Sequence, residues 1–99
     1  VAVPETADRR YRTGILRAQQ KKYDDAIKEF EAALEESPYL VDAYYNLGLV
    51  YDFTGAYQEA LRVFKTYVHL APKAQNIGTV KTKIVELEDR LGLFTTPAK

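Results

Sequence analysis

Residues 44–72 read YYNLGLVYDFTGAYQEALRVFKTYVHLAP, and residues 10–38 read RYRTGILRAQQKKYDDAIKEFEAALEESP. Laid over one another, Gly14 meets Gly48, Tyr23 meets Tyr57, Ala26 meets Ala60, Phe30 meets Phe64 and Pro38 meets Pro72, every pair 34 residues apart. Asp8/Asp42 and Tyr11/Tyr45 keep the same offset. Glycine, aromatic, alanine, phenylalanine and proline matches at one period are hard to obtain by chance. A period of this length marks a stacked-repeat architecture, in which no single unit buries its own apolar face. The expected fold class is all-α, an α-solenoid of stacked antiparallel helix hairpins with about five helices. Such an array points to binding and away from catalysis.

In the second unit, residues 41–74, a helix is expected over 41–54, stopped by Gly55, which accepts positive φ without steric cost. A second helix over about 58–70 carries Ala60, Leu61, Phe64, Tyr67 and Val68. It ends at Ala71-Pro72, because a residue before proline is pushed out of the α region. The first unit, residues 7–40, repeats the plan. A helix over about 7–20 meets a polar break at Lys21–Lys22. Another starts at Asp24, carries the stripe Ala26, Ile27, Phe30, Ala33, Leu34 and ends at Ser37-Pro38. Lys21 stands where the second unit has Gly55, so it should share that left-handed conformation and make the weaker turn. Residues 75–92 then form a helix with one narrow apolar stripe, Ile77, Val80, Ile84, Leu87 and Leu91, with Gly92 as its stop. A helix with a thin seam and a wet back covers the end of a stack, the solvating cap that repeat arrays need. A short coiled-coil seam is the rival reading. One domain over 1–99 is expected: repeat 7–40, repeat 41–74, cap 75–92 and tail 93–99.

The pattern Tyr44-x2-Leu47-Gly48-x2-Tyr51, then Tyr57, Ala60-x3-Phe64 and Pro72, resembles the tetratricopeptide repeat, with Tyr44 where the family pattern has tryptophan. The first unit matches in part. Gly14, Tyr23, Ala26, Phe30, Ala33 and Pro38 agree, whereas Arg10, Thr13 and Arg17 replace large apolar residues that would pack on a preceding repeat. Either the array begins here or its first helix packs poorly. Tyr67 stands where the first unit has Ala33 and is expected to pack against the cap. Gly14/Gly48 and Ala26/Ala60 should let the hairpin backbones approach, with Tyr23/Tyr57 and Phe30/Phe64 filling the space beside them.

The resemblance implies that the first helices of successive repeats line a concave groove. It also implies a ligand class to look for. Family members that grip a C-terminal carboxylate use a Lys and an Asn on the first helix, an Asn on the third, and a Lys and an Arg on the fifth. The corresponding residues here are Tyr11, Ile15, Asn46, Asn76 and Val80, and only Asn46 agrees. The clamp is absent, so chaperone tails ending in such a carboxylate are not expected partners.

Helix 41–54 is apolar on two faces. Tyr44, Leu47, Gly48 and Tyr51 share the one that holds the hairpin, while Tyr45, Leu49 and Phe53 fall near the opposite one, edged by Asp42 and Asp52. A helix apolar all round is either buried on both sides or shows one side to a partner. Tyr11 and Ile15 hold the same register in the first helix, and Asn76, Thr79, Val80 and Lys83 of the cap supply a far wall. The partner-binding residues expected in the concave groove are accordingly Tyr11, Ile15, Tyr45, Asn46, Leu49 and Phe53, an apolar and aromatic cluster of the kind that anchors a partner. Tyr45 and Phe53, opposite the hairpin face, should be replaceable with little loss of stability. The other reading is that this face packs on missing parts of a parent chain or on itself.

The remaining composition narrows the alternatives. With 14 Lys+Arg against 14 Asp+Glu, net charge zero gives no general attraction to nucleic acid or to an anionic membrane. Locally the balance is uneven, with a basic run over 8–22 and an acidic one over 24–36. Across an antiparallel hairpin these runs screen one another; a basic docking surface is the other reading. Without cysteine there is no disulfide, thiolate chemistry or cysteine metal site. His69 stands alone near a helix end, and Asp24/Asp25 and Glu35/Glu36 are adjacent pairs that point apart, whereas an acid/base pair must converge. No phosphate loop or nucleophile elbow occurs. No catalytic, metal or cofactor residue is therefore expected, nor an enzyme. Tyr39, after Pro38, reads as a wedge between repeats.

No apolar run approaches the ~18 residues that span a bilayer, and no signal pattern opens the chain, which favours a cytoplasmic location. The absence of methionine implies a piece cut from a longer protein. The expected function is a protein-protein interaction module that holds a peptide or helix with apolar or aromatic side chains in the concave groove. The alternatives are a self-assembling scaffold unit and a regulatory appendage of an enzyme in a longer parent chain.

Overall fold

The computed structural model describes residues 3–93. Over these the chain forms five helices and no strand: α1 (Glu5–Gln19), α2 (Tyr23–Glu36), α3 (Val41–Thr54), α4 (Tyr57–Leu70) and α5 (Ile77–Arg90). Helices α1 and α2 form one hairpin and α3 and α4 another. Helix α2 packs on α3, α4 packs on α5, and α1 touches α3 over a short stretch. Of the tail read as 93–99, residues 94–99 lie outside the described residues.

Punctuation in the sequence explains the element ends. Helices α2 and α4 stop at Ser37-Pro38 and Ala71-Pro72, where the residue before proline is denied the α region. Helices α1, α3 and α5 stop in a left-handed residue, with φ of 63° at Lys21, 87° at Gly55 and 73° at Gly92. Just beyond each, an N–H returns to a carbonyl in the last turn: Lys22 to Arg17 at 2.8 Å, Ala56 to Tyr51 at 2.8 Å and Leu93 to Glu88 at 2.9 Å. Lys21 thus adopts the conformation its register demands, with a Cβ that glycine lacks.

Each hairpin is keyed by a glycine over a phenylalanine. A Cβ on Gly14 would meet Phe30 ring carbons at 2.7 Å, and one on Gly48 would meet the Phe64 ring at 2.6 Å. Phe30 and Phe64 thus fill the space beside the glycines, and an aromatic ring occupies the place a side chain would need. Phe30, Phe64, Leu47, Val63 and Val80 are the largest fully buried side chains, and no polar or charged residue among those described is buried.

Between the hairpins, Tyr51 of α3 reaches α2, its Oη donating to Glu31 Oε2 at 2.6 Å. Burial first, and then this carboxylate partner, push the Tyr51 phenol well above its ordinary pKa. Across the first hairpin Arg10 lies 3.7 Å from Glu29 and 3.9 Å from Glu36, so the basic and acidic runs do meet there.

The cap seam lies against the stack, with Val80 and Leu87 buried and Ile77, Ile84 and Leu91 half-buried. Polar ties reinforce it: Lys65 to Glu88 at 3.2 Å, Arg90 over the Tyr57 ring at 4.7 Å, and Tyr67 Oη donating to Asn76 Oδ1 at 2.8 Å. Tyr67 does reach the cap. Tyr39 is no wedge, since it stands 75% exposed in the turn between α2 and α3.

Candidate functional site

Successive concave-side residues of α3, Asn46, Leu49 and Phe53, come at three- and four-residue spacing and face α1 and the start of α2. Ile15, Ala18 and Gln19 of α1 stand opposite Asn46, Leu49 and Val50 around a hollow of about 320 Å³, with Phe30 beneath. A second hollow of about 400 Å³ adjoins it through Leu49 and Val50 and is completed by Tyr23, Asp52 and Phe53. The two form one apolar channel along α3. At its far end Phe53 is 72% exposed, its ring centroid 5.0 Å from that of Tyr23.

The other end is fixed by hydrogen bonding. Asn46 Nδ2 donates to Tyr11 Oη at 3.0 Å and to the Asp42 carbonyl at 3.0 Å, tying α1 to α3. The Tyr11 ring tilts onto Phe30 with centroids 5.9 Å apart. Burial, then the Asp42 charge, raise the Tyr11 pKa, while the Asn46 bond pulls it down. The phenol therefore stays protonated.

Of the residues expected to bind a partner, Ile15, Asn46 and Leu49 come together in the first hollow and Phe53 borders the second. Tyr11 stands beside them through Asn46. Tyr45 does not join them: its ring lies 5.5 Å from Tyr67 and 6.3 Å from Phe64, half-buried against α4. The expectation that Tyr45 can be replaced at little cost is corrected by that packing. Val80 is fully buried and forms no far wall. Asn76 is engaged by Tyr67, and Lys83 Nζ donates to Asp52 Oδ2 at 2.9 Å, bridging from α5 to α3.

Ala18, Gln19, Val50, Tyr23 and Phe30 line the channel without having been anticipated. The signal for Ala18 was present, three residues after Ile15 on the same face. Tyr23 and Phe30 recur with the repeat and so read as core. No group of three or more His, Cys, Asp or Glu residues among those described could hold a metal ion, and no described helix is long and apolar enough to cross a membrane.

The family model described as tetratricopeptide repeat matches residues 17–84, most of both hairpins and half of the cap. The chain belongs to the tetratricopeptide repeat family. Two solved structures carry the same tetratricopeptide architecture. A solution NMR structure of a tetratricopeptide repeat domain protein from Salinibacter ruber is 20% identical, with a TM-score of 0.75 over 95% of this chain and 98% of that one. The crystal structure of the MamA protein is 22% identical, with a TM-score of 0.70 over 95% of this chain and 61% of that one. At these identities the likeness is one of fold. No curated protein matches the chain. Tetratricopeptide repeats are generally a non-catalytic protein-interaction fold, and the fold of this chain supports a protein-interaction or scaffold module in that general sense.

Proposed function

We propose that the chain binds a peptide or helix in its concave channel, seating an apolar or aromatic side chain between α1 and α3. The observation that carries this reading is the pair of adjoining apolar hollows, with Phe53 72% exposed at their end. Ligand pockets run to about 300–1,000 Å³, and the first hollow, about 320 Å³, suits a single side chain. The walls are helical, so the contact surface is ordered before the partner arrives and little entropy is lost on binding. Residues 7–40, 41–74 and 75–92 act in this reading as one binding domain, with Ile15, Asn46, Leu49 and Phe53 in contact with the partner and Tyr11 supporting Asn46. Tyr45 braces the groove from behind.

Tails ending in a gripped carboxylate stand outside the proposal. Val80 is buried at one clamp position, Tyr11 and Ile15 hold two others, and Asn76 is already bonded to Tyr67.

Peptides selected from a display library against the wild-type chain provide the test. Leu49→Glu places a charge in the wall shared by both hollows. It should weaken the selected peptides by at least about tenfold, ~1.4 kcal/mol, while the helical circular dichroism is retained. Unchanged affinity would remove the channel from consideration.

A further inference from the structure

One long face of the molecule lies outside the concave channel. Thr6, Arg10, Thr13 and Arg17 follow one another at four- and three-residue spacing and form a single stripe along α1. One repeat later the same positions are Leu40, Tyr44, Leu47 and Tyr51, the stripe by which α3 receives α2. In α3 this side accepts a helix, and the matching side of α1 has none there among the described residues. Its stripe differs from that of α3 in kind: two arginines and two threonines replace four large apolar residues.

The arginines are only partly spent. Arg10 is half exposed, and its carboxylate neighbours Glu29 and Glu36 stand at 3.7 and 3.9 Å, beyond hydrogen-bond distance. Arg17 has no carboxylate partner among the described residues; its Nη1 donates only to Gln20 Oε1 at 2.9 Å. A depression of about 280 Å³ lies along the stripe, lined by Thr6, Arg9, Arg10, Thr13 and Glu29.

The molecule's own α2–α3 junction shows what chemistry sits over such a stripe. There Glu31, Leu34 and Glu35 of α2 border the same depression as Tyr44 and Leu47, and Glu31 accepts the Tyr51 hydroxyl. Transposed by one repeat, an incoming helix with that Glu-x2-Leu-Glu spacing would set one carboxylate at Arg17, which holds the place of Tyr51, and the other toward Arg10. Guanidinium and carboxylate then meet with the planar geometry that favours paired hydrogen bonds. We propose that the open stripe of α1 is a docking surface for an acidic amphipathic helix of a partner protein, stacked on α1 as α2 stacks on α3. The partner is held by charge complementarity where the interior junction is held by burial.

The test uses three synthetic alanine-based helical peptides of one length, carrying Glu, Gln or Lys at the acidic positions of the Glu-x2-Leu-Glu pattern. A fourth peptide has the Glu composition with a central proline that breaks the helix. Each is titrated into the 15N-labelled chain and followed by amide shifts. The Glu helix should shift amides along Thr6–Arg17 and bind at least about tenfold more tightly than the Gln helix. Its affinity should fall as salt rises. Arg17→Gln, at a half-buried position, should lose about tenfold of that affinity while the chain keeps its helical circular dichroism, and Arg10→Gln with Arg17→Gln should abolish it. Equal binding of the Gln helix, no shift with the Glu helix at ~1 mM, or an undiminished response in the Arg17→Gln chain would overturn the proposal and leave the stripe as a solvated end. Equal binding of the proline-broken peptide would overturn it as well, since bare charge attraction needs no helix.

Discussion

The α1–α3 junction and the α3–α5 junction share one plan and are finished differently. Behind each, a tyrosine of a hairpin's first helix leans on a phenylalanine of its second, Tyr11 of α1 on Phe30 of α2 and Tyr45 of α3 on Phe64 of α4. In both, that phenylalanine fills the place of a glycine side chain. At the first junction Ala18 and Ile15 face Leu49 and Val50 across open space. At the second, the position of Ala18 is held by Asp52, whose carboxylate is bridged by Lys83, and the position of Ala33 is held by Tyr67, which packs on Tyr45 and bonds Asn76. Concavity here comes from a small residue inside a constant frame. No special binding residue is added; Ala18 leaves room at a position where an ion pair stands one repeat later.

Four predictions bear on that contrast. Phe64→Ala should cost about 3–5 kcal/mol of unfolding free energy, with Phe30→Ala at the lower end of that range because Phe30 already borders a hollow. Urea denaturation of the two variants gives the order directly, and an equal or larger loss at Phe30 would break the asymmetry. Gly48→Ala drives a Cβ to within 2.6 Å of the Phe64 ring, and overpacking of this kind costs about 1–3 kcal/mol. Gly14→Ala, at 2.7 Å, should fall in the same range, since the glycine-over-phenylalanine key is common to both hairpins.

Tyr45 and Phe53 separate more sharply. Tyr45→Ala removes a half-buried ring from two aromatic neighbours and should cost about 1–2 kcal/mol. Phe53→Ser, at a position 72% exposed, should stay within about 0.5 kcal/mol. Equal melting temperatures for the two variants would show that Tyr45 is as free as Phe53. The smallest effect concerns the turns. Lys21→Gly should raise stability by up to ~1 kcal/mol, because a left-handed lysine becomes a residue that bears no steric cost there. A lower melting temperature for Lys21→Gly would mean that the lysine side chain contributes more than its backbone strain removes.

Much of this was legible from residue order. The period, the two Xaa-Pro stops and Gly55 and Gly92 bounded the helices to within a few residues, because proline and left-handed glycine act on the backbone locally. Lys21 was legible by register alone, although nothing about lysine favours positive φ. Ile15, Asn46, Leu49 and Phe53 were legible as a helical face. What was not legible depended on partners distant in sequence. Tyr45 and Leu49 share one face of α3, and Phe64 together with Tyr67, which stands where the first repeat has alanine, draws Tyr45 into packing. Val80 fits both the cap seam and a groove wall on sequence grounds, and its complete burial selects the seam. Tyr39 follows a proline as a wedge would, but the turn carries it outward.

In the proposed complex a partner side chain enters the space left by Ala18 between α1 and α3. Intermolecular nuclear Overhauser effects from a selected peptide to the chain's methyl groups test it most directly. Contacts to the methyls of Ile15, Ala18, Leu49 and Val50 are expected, as is their loss when Ala18→Leu fills the hollow. Contacts confined to methyls elsewhere, such as Leu34 and Val63 on the opposite side of α3, or contacts that persist undiminished in Ala18→Leu, would contradict it.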